Sequence, residues 1–127
     1  MEKKLKKHGM KITPQRLELI KILEEVGTRH PSFNEVYNAI KSKYPNISRS
    51  TLFNNLKTLV ALDLIRSFNY GGETRYELNL ELHVNVIDSN GTIRDIENEE
   101  IRKHLMEIVK IINKEGKRVK SLTVISE

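Results

Sequence analysis

The sequence predicts an α+β chain made of an N-terminal winged helix-turn-helix domain, residues 1–78, and a small α/β domain, residues 79–127. Three observations lead there. Capped amphipathic helix patterns fill residues 13–63, the last entered through a short turn, and a Gly-centred pair of alternating segments follows them. Near Asn79 the charge changes: residues 1–78 carry 14 Lys and Arg against 8 Asp and Glu, whereas residues 79–127 carry 8 against 9. Beyond that point the pattern becomes strand, strand, helix, strand.

Lys3, Lys4, Lys6, Lys7 and Lys11 make a basic arm ahead of the first capped helix, suited either to lie along a phosphate backbone or to fray into solvent. Thr13 caps that helix and Pro14 takes its first position, where a missing N–H costs nothing. Leu17, Ile20, Leu23 and Val26 supply its apolar stripe, and Gly27 its stop. Ser32 and Glu35 form the capping box of a second helix, with Phe33, Val36, Tyr37 and Ile40 on its apolar side, and Tyr44-Pro45-Asn46 breaks it. Ser48 caps a third helix running to Asp63. Leu52, Leu56, Leu59 and Val60 recur on it at helical spacing and are expected to be core. Leu64–Phe68 and Thr74–Leu78 then alternate on either side of a turn at Tyr70–Glu73, which completes a winged helix.

In the second half, His83–Ile87 and Thr92–Ile96 read as strands joined by a tight turn at Ser89-Asn90-Gly91. Glu99–Glu115 is a helix with Ile101, Leu105, Ile108 and Ile112 on one stripe. Acidic residues open it, basic residues close it and Gly116 ends it, as the helix dipole prefers. Lys120–Ile125 is the last strand. A β-β-α-β unit of this size cannot bury a full core alone. Pairing with a second copy supplies the missing surface, so a homodimer is expected, with this half as its dimerisation domain.

The helix from Ser48 to Asp63 carries the functional reading. Opposite its apolar stripe stand Ser50, Phe53, Asn54 and Lys57, which bring hydroxyl, aromatic, amide and ammonium groups to one side. Such a face suits base edges in a major groove, and the basic first half suits phosphates, so double-stranded DNA is the expected partner. In a symmetric dimer two such helices meet two half-sites of a palindrome. Two other readings stay open: an architectural protein that binds DNA without sequence preference, and a winged helix that docks a protein. An enzyme fits least, because no Gly-rich phosphate loop and no nucleophile paired with a general base stand out.

Composition narrows the setting further. There is no cysteine, which removes disulfides, thiol catalysis and thiolate-held zinc. No apolar run is long enough to span a membrane, and the basic opening residues lack the apolar run of a secretory signal, so a cytoplasmic location is expected.

The ordered segments Gly9–Arg16, His30-Pro31, Tyr44–Ser48, Ser50–Leu56 and Gly71–Leu78 resemble the ferric uptake regulator family of metal-responsive bacterial and archaeal repressors over nearly the whole chain. The resemblance implies an N-terminal winged helix, a hinge and a C-terminal α/β dimerisation domain, and a repressor role. It also implies that Lys11, Arg49, Ser50, Thr51, Phe53 and Asn54 contact DNA. Lys57 joins them from its place on the same helix face. Phe53 stands where the family usually has a tyrosine that packs on thymine, so the ring is kept and the hydroxyl lost. Arg16 is expected to be structural or phosphate-facing.

The same resemblance places His30, Glu77, His83 and Asp95 at a regulatory site for a divalent metal such as Zn²⁺, Mn²⁺ or Fe²⁺. The family usually has two histidines one residue apart around His83, and here Val84 and Asn85 follow a single one. A degenerate or lost metal response is therefore expected. Ile87 and Asn90 match the first Cys-x-x-Cys pair of the family's structural zinc and the chain ends before the second, so no structural zinc is expected.

Overall fold

In a computed structural model, residues 1–26, 30–78, 81–116, 118–119 and 121–126 are described, and the chain divides into two compact units, Met1–Leu80 and Glu81–Glu127. Gly27, Asn79 and Lys120, named above as a helix stop, a composition boundary and a strand start, lie outside the described residues.

The first unit contains α1 (Glu2–Lys7), α2 (Pro14–Val26), α3 (Phe33–Lys41), α4 (Arg49–Ala61), β1 (Arg66–Tyr70) and β2 (Glu73–Glu77). The expected caps set its boundaries. The Thr13 hydroxyl accepts from the Arg16 amide at 3.1 Å, Ser32 and Glu35 form the reciprocal capping box, and the Ser48 hydroxyl accepts from the Thr51 amide at 3.0 Å. β1 and β2 pair antiparallel with Phe68 opposite Arg75, and the hairpin turns at Gly71 and Gly72, whose φ angles of 62° and 79° are the left-handed values such a two-residue turn needs. The strands begin and end within two residues of their expected limits.

Burial organises this unit around Leu19, Leu23, Val36, Ile40, Leu52, Leu56 and Ile65, each nearly fully buried. Two expectations change. Glu2–Lys7 is a helix rather than a loose arm, because Leu5, its lone large apolar residue, is buried in the core. On α2 the buried positions are Leu19, Ile20, Ile22 and Leu23, while Leu17 and Val26 are only half-buried. That helix is apolar over much of its circumference, so spacing alone allowed more than one inward face.

The second unit contains β3 (His83–Ile87), β4 (Ile93–Ile96), α5 (Glu99–Asn113) and β5 (Ser121–Ile125), with the strands in the order β4-β3-β5. β4 runs antiparallel and β5 parallel to the central β3. Asn98 caps α5, its side-chain oxygen accepting from the Glu100 and Ile101 amides at 2.8 and 3.2 Å. Of the expected stripe on α5 only Leu105 is buried, while Ile101 and Ile108 are exposed and Ile112 is half-buried. One copy of the unit has too little structure to cover that face.

Tyr76, nearly fully buried on β2, has its phenol pushed above the ordinary value of 10.0 by burial. The folded state thus holds the phenolic proton more tightly than the unfolded chain. This contribution is present below the unfolded pKa and lost as pH rises through the folded one. Chemical denaturation across the alkaline range should therefore show the Tyr76→Phe variant losing less stability above pH ~10 than the unsubstituted protein.

Candidate functional site

α4 presents two different faces. Leu52, Leu56 and Leu59 are buried beneath it, while Ser50, Thr51, Phe53, Asn54 and Lys57 are all exposed on the other side. Phe53 is 50% exposed, a large apolar area for a ring on an otherwise polar surface. It leans edge-on against Phe33 of α3, with ring centroids 6.3 Å apart.

Lys11 is exposed, and its backbone is tied to the same helix. The Arg16 guanidinium donates to the Lys11 carbonyl at 2.8 Å and to the Asn55 side-chain oxygen at 3.3 Å, bridging the segment before α2 to α4. Arg16 thus takes the structural option. Arg49 is also engaged within the protein. Its guanidinium lies 5.1 Å from the Phe33 ring centroid and 4.8 Å from that of Tyr37, and it donates to the Asn34 side-chain oxygen at 2.6 Å.

The metal-ligand candidates occur as two histidine–carboxylate pairs, one in each unit. In the first unit His30 Nε2 lies 3.3 Å from a Glu77 carboxylate oxygen, and both side chains are nearly fully buried. His30 adopts a φ of 53°, in the left-handed region, directly before Pro31. A non-glycine residue there carries strain of about 1–3 kcal/mol, which the surrounding contacts must offset. Those contacts are visible. The Tyr76 amide donates to the Pro31 carbonyl at 2.9 Å, Arg75 donates to the His30 carbonyl at 3.2 Å, and the His30 ring stands edge-on to Phe68 at 6.1 Å.

In the second unit His83 Nε2 lies 3.9 Å from an Asp95 carboxylate oxygen, with His83 buried and Asp95 half-buried. His83 Nδ1 is 2.6 Å from the Glu81 carbonyl. With that nitrogen donating, Nε2 keeps the lone pair a metal would use, which is how a second hydrogen bond usually fixes a ligating tautomer. Imidazole nitrogen and carboxylate oxygen, which each pair offers, are donors suited to Zn²⁺, Mn²⁺ or Fe²⁺.

Arg75 was missed from the sequence. Besides the His30 carbonyl it donates to Glu35 at 3.3 Å and to Glu73 at 3.2 Å, so it connects the wing to α3 and to the His30 segment. As one more basic residue in an alternating strand it gave no signal. Asn34 and the Phe33–Tyr37 pair were equally silent as partners of Arg49, although the four-residue spacing of the two rings places them on one helix face.

Four helices, the last of them facing outward, closed by a β-hairpin and followed by a β-β-α-β unit, define the winged-helix architecture. Residues 7–125 match the model of the ferric uptake regulator family. The ferric uptake regulation protein homolog of Archaeoglobus fulgidus is 43% identical over 113 residues, covering 86% of this chain and 88% of that protein. The structure of the Campylobacter jejuni peroxide stress regulator aligns with a TM-score of 0.70 at 32% identity, covering 100% of this chain and 95% of that one. That of a zinc-bound manganese uptake regulator aligns with a TM-score of 0.74 at 26% identity, covering 99% and 98%. The chain belongs to the ferric uptake regulator family, a family of transcription regulators and not of enzymes.

Local cap geometry sets how α4 enters this surface. Ser48→Ala removes the side-chain acceptor at its N-terminus and should lower stability by about 1 kcal/mol, read from the midpoint of urea unfolding at unchanged slope.

Proposed function

We propose that this protein is a sequence-specific DNA-binding transcription regulator that represses as a homodimer on a palindromic operator, residues 1–78 binding DNA and residues 79–127 dimerising. The observation that carries the reading is the two-sided α4: three buried leucines on one side and, on the other, a half-exposed Phe53 among hydroxyl, amide and ammonium groups. Ser50, Thr51, Phe53, Asn54 and Lys57 form the surface toward the bases, with Lys11 at its edge, while the Arg49 side chain is turned onto α3. Phosphate binding alone calls for no outward aromatic ring or amide, which favours a reader over an architectural protein.

Dimerisation is supported by the apolar side chains the second unit leaves exposed, Ile101, Met106, Ile108 and Ile111 on α5 and Val124 and Ile125 on β5. Family members act as dimers. None of the described helices is long and apolar enough to cross a membrane. As a regulator of DNA it is assigned to the cytoplasm in this reading.

We further infer that His30, Glu77, His83 and Asp95 hold one divalent metal. The two histidine–carboxylate pairs and the contact of His83 Nδ1 with the Glu81 carbonyl support the donor chemistry, and the family resemblance supplies the grouping. Bound there, a divalent cation would supply the charge that offsets two carboxylates. The donor set has one histidine fewer than the family usually carries, so affinity is expected to be reduced.

Selection from a pool of random duplexes by the purified protein tests this reading, run once with chelator and once each with Mn²⁺, Fe²⁺ and Zn²⁺. The account expects a palindromic site to be enriched, and more strongly with metal. Equal enrichment with chelator would leave the operator reading intact and remove the metal response. Absence of enrichment throughout would overturn sequence-specific binding in favour of the architectural or protein-docking alternatives.

A further inference from the structure

Arg49 opens α4 with a long cationic side chain, and at the start of a reading helix the simple expectation is a phosphate contact. The geometry points elsewhere. Its guanidinium is stacked 4.8 Å from the Tyr37 ring centroid and 5.1 Å from that of Phe33, and one nitrogen donates to Asn34 Oδ1 at 2.6 Å. Phe33, Asn34 and Tyr37 all lie on α3, so one side chain of α4 is held by three residues of the helix before it. Tyr37 fixes the same joint from the other end, its hydroxyl donating at 3.3 Å to the carbonyl of Ile47, the residue just before the Ser48 cap.

Phe53 belongs to the same assembly. It is four residues beyond Arg49 and therefore on the same face of α4. Phe33 touches both of them, stacking under the guanidinium and meeting the Phe53 ring in an edge-to-face arrangement at 6.3 Å. Phe33 is in turn half-buried and packed against the core, beside Tyr37 at 6.2 Å between centroids. A ring that is 50% exposed would otherwise sample several rotamers, and a reader of base edges is useful only in one.

We propose that Arg49 is a positioning residue: with Phe33, Asn34 and Tyr37 it forms a cation–π clamp that fixes the first turn of α4 against α3 and sets the orientation of Phe53. This rests on the reading of α4 as a DNA-binding helix. A planar guanidinium can stack on a ring and donate along its edge at the same time, which a lysine ammonium cannot do. The clamp therefore needs arginine in particular, whereas a phosphate contact needs only positive charge.

The test compares Arg49→Lys, Arg49→Met, Asn34→Ala and Phe53→Ala, and Arg49→Lys in the Phe53→Ala background, on a selected operator and on non-specific duplex over a range of salt. Arg49→Lys keeps the charge. It is expected to weaken operator binding about three- to tenfold while leaving non-specific affinity and the salt slope unchanged. Asn34→Ala, a surface substitution that spares the core, should shift operator binding the same way. In the Phe53→Ala background Arg49→Lys should cause no further loss. A fall in specific and non-specific binding together for Arg49→Met, with a shallower salt slope, would make Arg49 a phosphate contact and overturn the proposal. Additive losses in the two backgrounds would overturn it as well.

A measurement on the free protein keeps the clamp separate from the DNA reading. In the proton–nitrogen spectrum the Arg49 Nε–H should be shifted by the ring currents of Phe33 and Tyr37, and Asn34→Ala should move it and the Phe53 ring protons together. Those shifts with no operator selected would sustain the clamp and sink the DNA reading. An Arg49 signal at the position of a free guanidinium would sink the clamp whatever the DNA experiments show.

Discussion

Everything proposed for the first unit depends on the burial of Leu52, Leu56 and Leu59 beneath α4. Each such side chain contributes roughly 1.5–3 kcal/mol when withdrawn from water, so rolling the helix to bring another face inward would cost several kcal/mol. That constraint fixes by difference which residues face outward. Ser50, Phe53, Asn54 and Lys57 are displayed because leucine recurs where it does. The Ser48 cap then sets where the helix begins, and Arg16 holds the Lys11 segment beside it through Asn55.

The second unit answers a different constraint. Its small sheet and single long helix bury Val84, Ile87, Ile93 and Leu105 and leave comparable apolar side chains on α5 and β5 in contact with water. A lone unit of this kind is poorly stabilised, and a second copy offers a matching surface without any further sequence. In the isologous pair proposed above, the arrangement that completes the core would also repeat α4, so that stability of this half and the proposed recognition of a two-fold operator would share one cause.

Much of this was legible in the sequence because it is local. Caps at Thr13, Ser32 and Ser48, the glycines of the wing turn and the α4 stripe all act within a few residues, and each appears in the fold as read except Val60, which packs against the core half-buried. Tertiary packing decided the rest. Leu5 turns a lysine-rich arm into a helix by entering the core, and α2 could be oriented only against its neighbours. The α5 stripe was read as apolar, and the exposure of Ile101 and Ile108 accords with the reading that this half cannot bury a full core alone, although which of its positions stay exposed was not legible. Among the candidate site residues, the outward face of α4 followed from helical spacing. The grouping of His30 with Glu77 came only through the family resemblance, because no local rule links a loop before Pro31 to the end of a distant strand. The partners of Arg49 and Arg75 were not legible at all, as both contacts join elements that sequence spacing does not relate.

The central claim is that the outward face of α4 reads bases, with the Phe53 ring packed on a thymine methyl. Replacing thymines of the operator one at a time by uracil removes single methyl groups and leaves every phosphate and hydrogen-bonding edge in place. The account predicts that at one thymine per half-site the substitution weakens binding of the unsubstituted protein by about 1 kcal/mol and has no effect on Phe53→Ala. Equal losses for both proteins, or no sensitive thymine in either half-site, would contradict it.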